Sequence, residues 1–181
     1  MIRRIIPALA AALFALLFVF APATEARAEG FELGVGFGWF GEVGDHAGGR
    51  WQGFHFILSP GWRFNEWIGV YIDQGFGGHF RHHDQDHFVG QTVFNVRGFL
   101  KAGPGDLWGE IGIGAHYLSW DDHTDSAFAF KLGIGYTYDI TDVVGIGANF
   151  DYMLGAFSDT KYHGAGTAHY LDLMLHLRFK F

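Results

Sequence analysis

Four His and two Asp fall within nine residues, His79-Phe80-Arg81-His82-His83-Asp84-Gln85-Asp86-His87. Imidazole with carboxylate is a donor set suited to Zn²⁺, Cu²⁺ or Ni²⁺. Arg81 in the middle and the irregular spacing favour a solvated polar loop instead. His79, His82, His83 and His87 are therefore weak metal candidates, and neither a metal nor any other cofactor is expected. A second set is hydrolytic: Ser119 lies near His116 and His123, but a nucleophile also needs a base and an orienting group within hydrogen-bond reach. Serines are few (Ser59, Ser119, Ser126 and Ser158), and no enzyme is expected. The third and most specific set is ionic. Glu32, Arg63, Arg97, Glu110, Lys131, Asp151, Asp172 and Arg178 each sit at an alternate position within an otherwise apolar run.

Alternation of period two belongs to β-strands with one apolar and one polar face. It is clearest at the end, where Leu171 to Phe181 carries Leu or Phe at every odd position and polar residues at every even one except Met174. The same pattern marks Phe31–Phe40, the run to Phe64, and segments around Ile68–Asp73, Thr92–Lys101, Leu107–Tyr117, Phe128–Asp139 and Val144–Leu154. Eight strands result. Polar loops over Gly41–Arg50, Gly77–Gly90, Ser119–Ser126 and Gly155–Ala168 alternate with short turns at Asn65-Glu66, Ala102–Gly105 and Ile140–Asp142. Pro60 lacks the N–H that a central strand needs, and a bulge or ladder end is expected there.

Twenty-eight Gly and thirty-three aromatic residues among 181 depart from ordinary soluble composition, and there is no Cys. Residues 1–28 carry Arg3 and Arg4, an apolar run from Ile5 to Phe20 and an Ala26-Arg27-Ala28 ending, which reads as a secretory signal peptide. Removing them takes three Arg and one Glu. Residues 29–181 then hold nine basic and eighteen acidic residues, a formal charge of −9 that argues against nucleic acid as a partner. Bulky apolar side chains opposite a face of Gly and charge are the reverse of a soluble ligand-binding barrel, whose apolar face points inward.

The expected fold is all-β, an eight-stranded antiparallel up-and-down transmembrane β-barrel over residues 29–181, with aromatic girdles that include Trp39, Trp51, Trp62, Trp67, Trp108 and Trp120. The chain resembles the small outer-membrane barrels of the outer membrane protein A membrane-domain and outer membrane protein X group. The ending at Phe181 and the segment Ser59-Pro60-Gly61-Trp62-Arg63-Phe64-Asn65-Glu66 carry that resemblance. It implies a monomer in the bacterial outer membrane, in contact with outer-membrane lipid and lipopolysaccharide. It also implies recognition of the last strand by the barrel assembly machinery, and a structural or surface-interaction role (adhesion, envelope integrity or resistance) with a possible extracellular ligand. A porin-like small-solute channel is the alternative, and a lipid A-modifying enzyme a weaker one.

Counting back from the turns sets Lys101 opposite Asp106, Arg97 opposite Glu110 and Lys131 opposite Asp151, all on the polar face. With Glu32, Arg63, Asp172, His176 and Arg178 from neighbouring strands, these residues would form one ion-pair network closing the lumen. Replacing Lys131 and Asp151 together should then recover much of the stability lost with Lys131 alone.

Overall fold

A computed structural model describes residues 29–43, 52–79, 87–120, 123–157 and 166–181. Eight strands follow one another: β1 Gly30–Val43, β2 Gln52–Arg63, β3 Ile68–His79, β4 His87–Ala102, β5 Gly105–Trp120, β6 His123–Asp139, β7 Val144–Phe157 and β8 Gly166–Lys180. Each pairs antiparallel with the next, and β8 pairs with β1, so the sheet has no free edge. Closure satisfies the backbone within the wall, as hydrocarbon demands.

The register fixes the dimensions. Stepping through partners from Glu32 to Gly61, Tyr71, Asn95, Gly112, Lys131, Met153 and Tyr170 returns to β1 at Glu42, ten residues along. Eight strands with that stagger tilt by about 40° around a backbone cylinder of about 8 Å radius. So narrow a tube is filled by its own side chains.

The outer wall carries the apolar face. Phe37, Phe94 and Leu173 are 57 to 58% exposed and Leu175 is 70% exposed. A continuous apolar surface of this kind is at home only in lipid. Trp39, Trp62, Trp67 and Tyr138 stand exposed among these residues, while Trp51 lies outside the described residues. Trp108 departs from the girdle expectation: it is buried inside the barrel, because even-numbered residues of β5 point inward.

Three turns sit at the end that carries Gly30 and Lys180. In the first, Asn65 Oδ1 accepts from the N–H groups of Trp67 and Ile68, while Arg63 donates to the carbonyls of Asn65 and Glu66. The second closes Ala102 on Gly105 through Gly103-Pro104. Its first corner is left-handed, and Gly103 at φ 61° meets that without steric penalty. In the third, Thr141 Oγ1 accepts from the N–H groups of Val143 and Val144.

Three local expectations are corrected. Residues Ser119 to Ser126 are mostly strand, since Ser119 pairs with Thr124 and Trp120 with His123. The third connection leaves residues 140–144 between the paired positions Asp139 and Gly145, two more than expected. Lys131 therefore lies opposite Met153, and Asp151 opposite Gly133. At Pro60 the β2–β3 pairing lapses between Leu58–Gln74 and Gly61–Tyr71, yet the register is the same on both sides, so there is no bulge. The missing N–H is absorbed as a gap, and the Ser59 hydroxyl donates to the Asp73 carboxylate across it.

Candidate functional site: the barrel lumen

Alternation turns one residue in two inward, and the stagger sorts those residues into layers along the tilted bore. Nearest the turns lies a cluster built on Asp106 and Asp139. Arg63 reaches Asp106 at 3.0 Å and Glu32 at 3.7 Å. Arg178 bridges Asp106 at 2.7 Å and Asp139 at 2.5 Å. Lys101 and Lys180 add contacts to Asp139 at 3.2 and 3.0 Å. Arg63 also stacks over the Phe99 ring at 3.9 Å, and Tyr71 donates to Glu32 at 2.5 Å.

A second cluster fills the centre. Arg97 lies 4.1 Å from the centroids of both Tyr71 and Trp108 and donates through Nε and Nη2 to Glu110 at 3.0 and 2.7 Å. Lys131 meets three carboxylates, Asp73 at 2.6 Å, Glu110 at 2.7 Å and Asp151 at 3.1 Å. Lys131, Asp73, Glu110 and Asp151 are buried, and the Arg97 side chain is 11% exposed. Charges in such a setting are tolerable only when paired and hydrogen-bonded. Gly133 permits the approach: a Cβ there would run into Asp151 Oδ1 and Glu110.

A neutral hydrogen-bonded chain starts and ends in the central cluster. Trp108 Nε1 donates to Thr137 Oγ1 at 3.0 Å, Thr137 Oγ1 lies 2.8 Å from His176 Nε2, and His176 Nδ1 lies 3.0 Å from Asn149 Oδ1. Asn149 Nδ2 donates to Asp151 at 2.8 Å. Hydrogen bonding along this path assigns the His176 proton to Nδ1. Beside it is a cavity of about 40 Å³, lined in part by Glu32, Tyr71, Asp73, Arg97, Glu110 and His176. That space is enough for about three waters.

Above the centre the lumen changes character. Phe40, Val89, Val93, Leu118, Ala129, Met153, Ala168 and Tyr170 form a buried apolar layer. His55, Gln91 and His116 are buried at the same level.

Of the sequence-selected charges, Glu32, Arg63 and Arg178 meet in the lower cluster and Arg97, Glu110, Lys131 and Asp151 in the central one. Asp172 joins neither, and His55 Nδ1 lies 3.4 Å from its carboxylate. Sequence reasoning passed over Asp73, Asp139 and Lys180 as partners. Alternation already put Asp73 and Asp139 on the inner face, but Lys131 reaches Asp73 across the bore, three strands away, which no turn count reveals.

The other candidate chemistries lie only partly within the described residues. His79 and His87 are paired positions on β3 and β4, whereas His82 and His83 lie outside the described residues. Among the described residues no three His, Cys, Asp or Glu gather as metal ligands. Ser119 and His116 stand three residues apart on one strand, hence on opposite faces, and the Ser119 hydroxyl accepts instead from Thr124 at 3.1 Å.

The sequence matches the outer membrane protein beta-barrel domain family over residues 10–179. The chain belongs to that family. Among solved structures the barrel superposes on Neisserial surface protein A with a TM-score of 0.72 at 16% identity, covering 83% of this chain and 97% of that one. OprG from Pseudomonas aeruginosa superposes with a TM-score of 0.53 at 10% identity, covering 87% and 99%. Identities this low establish a shared fold. No curated protein matches the chain by sequence. As an outer-membrane barrel of this family, the protein places its exposed aromatic and aliphatic wall in the bilayer and its charges in a lumen shielded from lipid.

Proposed function

We propose that this outer-membrane barrel is a closed, non-enzymatic monomer whose role is structural or surface-interacting: adhesion, envelope integrity or resistance. The observation that carries the reading is the filled bore. Two ion-pair clusters and an apolar layer occupy successive levels, and the cavity between them is about 40 Å³. A solute path needs a continuous opening, and barrels of eight strands leave room for little beyond side chains. Contact with the exterior then falls to the connections at residues 44–51, 80–86 and 158–165, whose sequences carry His, Asp, Arg and Lys. Export through a signal peptide at residues 1–28, contact with lipopolysaccharide, and recognition of the strand ending at Phe181 by the assembly machinery belong to the same reading.

Planar-bilayer recording tests closure. Purified protein inserted into the bilayer is expected to give no stable conductance steps. Steps that disappear with Arg97, Glu110, Lys131 or Asp151 substitutions would establish the channel reading instead. Envelope fractionation with a heat-modifiability gel is expected to recover an outer-membrane species whose mobility shifts on boiling.

A further inference from the structure

Lys131 Nζ stands among three carboxylates, 2.6 Å from Asp73, 2.7 Å from Glu110 and 3.1 Å from Asp151. All four side chains are buried. An amine and a carboxyl group held in contact away from water are the two halves of an amide. Fixed orientation of reacting groups is worth effective molarities of roughly 10⁵ to 10⁸ M.

The three acids are not equivalent. Glu110 accepts two N–H groups from Arg97, and Asp151 Oδ2 accepts from Asn149. Asp73 is the nearest to Nζ, which contacts its Oδ2, while its Oδ1 receives the Ser59 hydroxyl. That hydroxyl sits where negative charge would develop if a nucleophile added to Asp73 Cγ, which is the placement of an oxyanion donor.

Two further observations complete the set. Asp151 Oδ1 is buried with no hydrogen-bond partner among the described residues, so this carboxylate has capacity to take a proton from Nζ. The lumen cavity of about 40 Å³ is lined by Ser59, Asp73, Glu110, Lys131 and Asp151 together. It can receive a departing water.

We propose that Lys131 and Asp73 condense after folding into an isopeptide bond that ties β6 to β3 across the bore. The Lys131–Asp73 ion pair is the reactant. Nζ passes a proton to Asp151 and attacks Asp73 Cγ, and the Ser59 hydroxyl holds the charge that gathers on Oδ1. Asp151 and Glu110 hand the two protons shed by Nζ to Oδ2, which leaves as water. The Nζ–Cγ bond forms and the Cγ–Oδ2 bond breaks. Ammonium and carboxylate become amide and water, with nothing oxidised or reduced and no co-reactant.

Intact-mass spectrometry of the wild-type protein purified from outer membranes tests this. The chain is expected to be lighter than its own sequence by one water, about 18 Da. Freshly refolded protein is expected to start at the full mass and lose the water with time. Proteolysis is expected to release the peptides carrying Asp73 and Lys131 joined to each other. Boiled in detergent, the linked chain keeps a closed loop between residues 73 and 131 and is expected to run ahead of Lys131→Arg, which keeps the charge without the amine. If Lys131→Arg does not fold, its boiled band still serves as the unlinked standard. Ser59→Ala is expected to leave a larger unreacted fraction. A full mass in the membrane-derived wild type, a link from Lys131 to Glu110 or Asp151, or equal mobility of the two boiled chains would overturn the proposal.

Discussion

The lower and upper parts of the lumen solve the same problem differently. Toward the turns, almost every charge has a counter-charge or a hydrogen bond within 3.3 Å, and arginines are stacked on aromatic rings as well. Above the centre, apolar side chains do most of the filling, and Gln91 and the Tyr170 hydroxyl have no hydrogen-bond partner among the described residues. The first region is held by specific pairs, so removing any member leaves a buried charge exposed to its loss. The second is held by packing, and its polar groups have little side-chain bonding to lose. Difference in partner count, at equal burial, should translate into difference in mutational sensitivity.

The sharpest way to break that comparison is Lys131→Met, which strips three carboxylates of one ammonium. A loss of about 3 to 5 kcal/mol is expected from urea unfolding in detergent, the range for breaking a buried ion pair. Adding Asp151→Leu is expected to restore only part of it, because Asp73 and Glu110 keep the deficit. This revises the recovery of much of the loss that a simple Lys131–Asp151 pair implies.

Arg97→Lys retains the charge but loses the forked contact with Glu110 and the stacking between Tyr71 and Trp108. A loss of about 1 to 2 kcal/mol is expected by the same measurement. Gly103→Ala serves as a backbone control at the same end, since it touches no charge and strains one left-handed corner. About 1 kcal/mol is expected, visible as a small shift in the unfolding midpoint. The smallest effect belongs to the upper region: Gln91→Met removes a polar group that has no hydrogen-bond partner among the described residues, and a change below about 1 kcal/mol is expected. A loss at Gln91 equal to that at Lys131 would erase the distinction between the two regions.

The fold was legible because lipid imposes a strict code. Residues such as Phe54, Leu173 and Leu175 must face outward and Arg63, Glu110 and Lys131 inward, and a period of two writes that choice directly into the chain. Register was legible wherever the turn was. Gly103-Pro104 gives a tight corner, so Arg97 and Glu110 could be matched by counting, whereas the connection between Asp139 and Gly145 runs two residues further than its composition suggests and moved Lys131 away from a position opposite Asp151. Trp108 shows the other weakness of a local reading: aromatic character near a strand end suggested the interface, but parity sends that ring inside to cover Arg97.

By itself, then, the sequence determined the strands, their number, their two faces and the acidic excess of the inner one, since each of these depends on neighbours within a few residues. Tertiary structure alone decided which charges meet across the bore. The ten-residue stagger brings Asp73 of β3 to Lys131 of β6, an outcome that depends on the closure of the cylinder, a property of all eight registers together and of no single segment.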